Sequence, residues 1–179
     1  MPHVLVLLAL ESEEHLEGRG GRALAELVGY GSNCGAEHLT APDQASEAAA
    51  MRAALDDAGL APDAVDLVLA HGTATRRNDV VEGRALREVF GRNGAFPALA
   101  AVKSMVGHAM GASGAIGAAA AAFALAQGEI PPTINLDSPD PECAISGFSP
   151  VATPRPVGHA MVNAFAFGGH NAVLVLRRA

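Results

Sequence analysis

The stretch His71-Gly-Thr-Ala-Thr-Arg-Arg-Asn-Asp79 decides how the chain is read. It follows Val65-Asp-Leu-Val-Leu-Ala70, a short apolar run, so His71 stands where a buried strand gives way to a polar loop. In open α/β sheets, chemistry collects at that edge. Two further stretches repeat the design. Ala101-Val-Lys103-Ser-Met-Val-Gly-His108 carries a lysine and a histidine out of a second apolar run, and Asn163-Ala-Phe165-Ala-Phe167-Gly-Gly169 follows a third. Three strand ends can therefore converge on one cleft.

On either side of these motifs, the punctuation predicts strands alternating with helices. Val4 to Leu10 reads as an opening strand, and Ser12-Glu-Glu-His-Leu-Glu-Gly18 as a capped short helix ended by Gly18 and Gly20. Ala23 to Tyr30 reads as a strand, and Gly31 to Asp43 as a loop with turn chemistry at Ser32-Asn33 and Pro42-Asp43. Ser46 to Ala58 reads as a helix stopped by Gly59. Beyond His71 a helix is predicted from Asp79 to Phe90, with Asp79 able to cap it and Glu82 placed as a capping-box partner. A strand over Leu99 to Val102 delivers Lys103, Gly111 to Gln127 forms a helix of small residues, and Asn135 to Gly158 is Pro-rich and irregular. Ala160 to Phe167 and Ala172 to Arg177 read as an antiparallel pair. Together these imply an α/β fold with a layered, mostly parallel sheet.

Composition narrows the function. With 179 residues the chain can bury a sizeable core, and its half-hydrophobic composition is rich in Ala and Gly but poor in aromatics. A net charge of −7 and the lack of a basic run argue against a nucleic-acid surface. Two cysteines make no disulfide framework, which points to a reducing cytoplasm. The run from Val4 to Leu10 lacks a positive flank, so a strand is expected rather than a signal peptide. Residues Ala109 to Ala126 are uncharged and long enough to span a membrane, yet Ala, Gly and Ser gain little from lipid, so a buried helix is expected. No zinc-type spacing, P-loop or dinucleotide fingerprint occurs, so no metal and no nucleotide cofactor are expected.

The three motifs, in this order, resemble the C-terminal half of a β-ketoacyl-acyl-carrier-protein synthase of the thiolase-like superfamily. The spelling His71-Gly-Thr-Ala-Thr-x-x-Asn78-Asp79-x-x-Glu82 is most similar to discrete, type II polyketide and fatty-acid ketosynthases. Leu10-Glu-Ser-Glu-Glu-His15, Pro131-Pro-Thr-Ile-Asn135 and Asp140-Pro-Glu-Cys143 resemble further landmarks, so the likeness covers nearly the whole chain. It implies one half of a thiolase-like fold. Residues 1–22 would be a residual strand and helix from the end of the N-terminal half, and 23–179 the C-terminal ketosynthase domain.

Ketosynthases join an acyl group, held as a cysteine thioester, to a carbanion made by decarboxylating a malonyl thioester. Charge develops on the thioester oxygen, and neutral N–H donors suit it. By resemblance His71 and His108 are those donors, and Lys103, within Lys103-Ser-Met-Val-Gly-His108, orders them. Glu82 would be the acidic partner of Lys103, although a helix-cap role for it is almost as good. Thr73 and Thr75 support the His71 loop. Phe165-Ala-Phe-Gly-Gly169 resembles a Phe-Gly-Phe-Gly-Gly gate, in which Phe167 guards the acyl pocket and lends a backbone N–H to the oxyanion hole, with Gly168 supporting. Ala166 replaces the usual first glycine, and its Cβ restricts the backbone there, which implies a gate that is stiffer or differently posed; alternatively both phenylalanines are simply core. His3, His15, His38, His159 and His170 carry no motif and read as structural.

The family's catalytic cysteine belongs to the N-terminal half. Cys34 and Cys143 lie outside any nucleophile elbow and read as non-catalytic, Cys34 the less securely. The resemblance therefore implies the C-terminal subunit of a split β-ketoacyl synthase, with a cysteine-bearing N-terminal half or ketosynthase subunit and an acyl carrier protein as partners. Phosphopantetheine thioesters would be its substrates, with no further cofactor. The alternatives are a non-catalytic ketosynthase-like subunit that binds an acyl carrier protein or another ketosynthase subunit and shapes chain length, or an inactive fragment.

Overall fold

In the computed structural model, which describes residues 4–91, 96–143 and 145–179, helices cover both faces of one five-stranded sheet. His3 lies outside the described residues. The strands are β1 (Glu26–Cys34), β2 (Leu67–Leu69), β3 (Ala98–Ala100), β6 (His159–Phe165) and β7 (His170–Arg177), in the order β1-β7-β6-β2-β3. β6, β2 and β3 are parallel neighbours. β7 runs antiparallel to both β6 and β1, so four strands point one way and β7 alone opposes them. The separate pair β4 (Glu129–Ile130) and β5 (Thr153–Pro154) reaches into the stretch expected to be irregular.

Alternation along the strands builds two cores. Val68, Met161, Val173 and Val175 face α2 (Gln44–Ala58) and α3 (Arg76–Phe90), where Met51, Leu55, Leu86 and Phe90 meet them. Leu67, Leu69, Val162 and Leu176 face the opposite way, onto Ala121, Ala124 and Leu125 of α5 (Ser113–Gln127). Asp43 starts α2 by accepting from the Ala45 and Ser46 N–H groups, and Gly59 ends it in the left-handed region. α2 lies directly on β1: a Cβ on Gly31 would come within 2.3 Å of the Ala50 carbonyl oxygen. α5 buries Gly117, Ala118 and Ala121 and leaves Phe123 exposed, so the helix long and apolar enough to cross a membrane packs one face on the sheet.

Several boundaries move. Residues 4–10 form no strand; all but Val6 are exposed, with Leu5 and Leu7 more than four-fifths accessible, because no described strand lies beside them. The short helix does form, as α1 (Glu13–Gly18), capped by Ser12. β1 starts later than expected and runs through Ser32-Asn33, since β7 offers ladder partners as far as His170 opposite Cys34. α3 starts at Arg76 with Thr75 as its N-cap, not Asp79, whose own N–H bonds back to the Thr75 carbonyl. β3 ends at Ala100, and Lys103 opens the one-turn helix α4 (Lys103–Val106).

Candidate functional site

His71 leaves β2 just past its carboxyl end and is buried. Glu82, on the second turn of α3, reaches back under the loop. Its Oε1 accepts from the His71 N–H at 2.8 Å and from Asn163 Nδ2 at 3.1 Å, and its Oε2 accepts from the Gly72 N–H at 2.8 Å and from Asn78 Nδ2 at 3.3 Å. Burial pushes the Glu82 carboxyl up, and those four N–H donors oppose the push by holding the anion. Glu82 thus caps no helix, and it bears on Lys103 through its charge with no hydrogen bond between them. It clamps the His71 loop from one side while Lys103 grips the same residue from the other.

The Lys103 ammonium donates to the His71 carbonyl oxygen and stands 3.4 Å from His71 Nδ1. Desolvation lowers the Lys103 ammonium, with Glu82 and Asp79 working to raise it. An ammonium can only donate, so His71 Nδ1 acts as acceptor and the ring proton sits on Nε2. His108 reaches the same state by another route. Its Nδ1 accepts from the Met110 N–H at 3.2 Å and lies 3.0 Å from Ser113 Oγ, which again leaves the proton on Nε2. The two rings stand nearly perpendicular, 85° apart, with centroids at 5.6 Å, and Phe165 packs on His71 at 5.7 Å.

Both imidazoles are neutral at pH 7. Burial, then Lys103, then His108 push His71 down to about 3. Burial and then Lys103 lower His108 as well. The arrangement is a pair of uncharged Nε2–H donors beside an ammonium.

Supporting residues fall around this centre. Thr73 and Thr75 share a hydroxyl contact at 2.9 Å that shapes the loop before α3. Asp79 bonds Asn78 Nδ2 at 3.1 Å and faces the backbone N–H groups of Ala74 and Thr73; burial raises its carboxyl against those contacts. Phe167 is exposed, in a single turn (Phe167–Gly169) between β6 and β7. The turn is tied to the β1–α2 loop, because the Gly168 N–H donates to Leu39 O at 2.7 Å and the Gly35 N–H to Gly169 O at 2.9 Å. Gly169 has φ +76°, and a Cβ there would lie 2.6 Å from Ala36 N. Ala166 does not strain this turn: at φ −138° and ψ 165° it is extended backbone that any residue adopts.

Cys34 ends β1 with its thiol 3.1 Å from the Gly168 carbonyl oxygen, which cannot take a proton. Burial is the largest cause raising the Cys143 thiol, and the nearby carboxylates add to it. Among the described residues neither thiol is hydrogen-bonded to a base that would make a thiolate; His170 is the ladder partner of Cys34, whose thiol turns to the Gly168 carbonyl instead. His38 accepts from the Thr40 and Ala41 N–H groups, His159 contacts Ala64 O, and His15 and His170 are exposed. Among the described residues no group of three or more His, Cys, Asp or Glu could hold a metal ion.

Sequence reasoning named no role for Asn163, Asn78 or Ser113. Asn163 and Asn78 each stand inside a quoted motif, and that adjacency was the available signal; Ser113 has none.

Comparison with known proteins gives the family and the fold. Residues 24–137 match the family description "Beta-ketoacyl synthase, C-terminal domain". A 3-oxoacyl-[acyl-carrier-protein] synthase 2 of Synechocystis sp. is 41% identical over 174 residues, which are 96% of this chain and 42% of that enzyme. The solved ishigamide ketosynthase/chain length factor superposes with a TM-score of 0.91 at 44% identity, over 94% of this chain and 41% of that one. A type II polyketide ketosynthase, solved with its acyl-carrier protein and bound to a hexaketide, superposes with a TM-score of 0.90 at 34% identity, over 94% and 42%. The chain thus spans about two fifths of the length of the relatives it matches.

Proposed function

The chain belongs to the β-ketoacyl synthase family through its C-terminal domain, and on that basis we propose that it supplies the His-His-Lys part of a condensing site whose cysteine comes from a separate subunit. The observation that carries this is the pair of neutral imidazoles, each with Nδ1 occupied and Nε2–H free to donate.

In the proposed reaction the partner's cysteine holds the acyl group as a thioester, and a carrier-bound malonyl thioester enters beside it. Loss of CO2 leaves the electrons of the broken C–C bond on the malonyl thioester oxygen, where the Nε2–H groups of His71 and His108 meet the charge. The enolate carbon then attacks the acyl thioester carbonyl. A C–C bond forms, the C–S bond breaks and the cysteine thiolate is regenerated. Lys103 fixes the His71 tautomer and adds positive potential. Phe167 covers the acyl entrance, and its backbone N–H serves the second oxyanion.

The surface supports a partner. Leu5, Leu7 and Leu10 are exposed along residues 4–10, and Met105, Val106 and Phe123 are exposed around α4 and α5. Monomers seldom leave such apolar area open, and the cysteine-bearing half is its proposed cover.

The test is reconstitution with a cysteine-bearing ketosynthase half, acyl and malonyl carrier-protein thioesters, and product detection by mass spectrometry. His71→Ala and His108→Ala should each lower kcat by about 100- to 1000-fold, the usual cost of one oxyanion donor. Full condensation by a complex of either variant would refute the catalytic reading and leave the chain a binding subunit.

A further inference from the structure

One polar side chain is buried deeper than the site needs. Glu47, on the first turn of α2, is 1% exposed, and neither carboxyl oxygen has a hydrogen-bond partner. Among the described residues one other buried side-chain oxygen shares that state, Oδ1 of Asn163. Glu47 and Met51 stand one helical turn apart on the buried stripe of α2, and Asn163 Nδ2 lies 3.9 Å from Met51 Sδ. The orientation of Asn163 is fixed, because its amide nitrogen must face Glu82 Oε1; reversal would set two oxygens against each other. Its Oδ1 therefore needs a donor.

Glu82 carries four N–H donors and Glu47 none, so of these two buried carboxyl groups the negative charge belongs on Glu82. The titratable groups that bear on Glu47 are Glu82 from α3 and Asp43 from the cap of its own helix, both acidic, while β6 presents the neutral Asn163. Burial, then Glu82, then Asp43 push the Glu47 carboxyl up to about 9.

We propose that Glu47 is a neutral carboxylic acid whose O–H donates through one buried water to Asn163 Oδ1, and so holds the Asn163–Glu82 clamp that seats His71. Glu47 is in this sense a positioning residue, separated from His71 by two side chains. The last step rests on the role proposed for His71, but the protonation state of Glu47 is read without any condensation activity.

The experiment is infrared spectroscopy of the chain and of Glu47→Gln at pH 7, with 15N spectra of the His71 ring in the wild type, Glu47→Gln and Glu47→Ala. The wild type should show the carbonyl stretch of a protonated, buried carboxylic acid, shifted in D2O and missing from Glu47→Gln. The His71 Nε2–H signature should survive in Glu47→Gln, which keeps a donor, and give way to mixed tautomers in Glu47→Ala. Because Gln is close in shape and cannot ionise, its melting temperature should match or exceed the wild type, with a gap that widens from pH 5 to pH 9. An unchanged carbonyl region in Glu47→Gln would overturn the protonation, and an unchanged His71 spectrum in Glu47→Ala would overturn the positioning. Failure of condensation in every protein while the carbonyl band persists would count against the proposed function alone.

Discussion

Replacing Glu82 by Gln changes one oxygen to NH2 and removes one charge, and the geometry of the clamp sets the cost. Each carboxylate oxygen faces two donors: Oε1 receives the His71 N–H and Asn163 Nδ2, and Oε2 receives the Gly72 N–H and Asn78 Nδ2. Whichever way the new amide turns, its NH2 confronts a pair of N–H groups. Two charge-assisted hydrogen bonds are lost, at about 1.5–3 kcal/mol each, so the expected destabilisation is roughly 3–6 kcal/mol. Removing a buried charge works the other way, because the burial that raises the Glu82 carboxyl is relieved. The donors outweigh it because they remain buried and unpaired. Urea denaturation of Glu82→Gln at pH 7.5 should show a lower midpoint at unchanged slope. A loss below about 1 kcal/mol, or a gain, would refute the anionic clamp.

The remaining predictions test other parts of the same centre. His71 is held near 3, below its ordinary value of about 6.5, so the stability it confers is full above pH 6.5 and is lost as pH falls toward 3, at up to about 1.4 kcal/mol per pH unit. Denaturation midpoints at pH 7.5 and 4.5 should therefore converge more in His71→Phe than in the wild type. Gly169→Ala puts a Cβ 2.6 Å from Ala36 N at a positive φ, which should cost roughly 2–5 kcal/mol and lower the melting temperature. Leu5→Glu with Leu7→Glu should leave the chain's own stability within about 0.5 kcal/mol, since both side chains are exposed, yet abolish co-purification with the proposed cysteine-bearing half.

Much of this was legible in the sequence. The β6–β7 pair, α2 and α3 follow from alternation, periodicity and the Gly59 and Gly91 stops, and the meeting of His71, Lys103 and His108 follows from the strand ends their motifs occupy. Glu82 was harder to read. Its spacing from Asp79 fits a capping box, and only the return of β6 beside β2 reveals that its carboxylate closes on Gly72 and Asn163. Residues 4–10 have strand composition, but a strand exists only where a neighbour completes its hydrogen bonds. Ser32-Asn33 has turn chemistry that the β7 ladder overrides. Glu47 did leave a signal, since it falls on the stripe of Ala50, Met51 and Ala54, where a carboxyl group is out of place.

Register explains why three separate motifs meet. Leu69 pairs with Ala100 on one side and Val162 on the other, and the three strands run parallel. Two residues past Leu69 stands His71; two past Ala100 is Val102, followed by Lys103; one past Val162 is Asn163. All arrive at one edge at nearly the same height. Alternation then assigns the faces: Asn163 shares the side of Met161, toward α2 and α3, where Glu82 and Glu47 project. A slip of one residue between β2 and β6 would turn Asn163 away and offer Ala164 to Glu82. The apolar alternation of β6 forbids that slip, because Met161 and Val162 would exchange cores. The packing that folds the sheet is therefore the packing that sets the chemistry of His71.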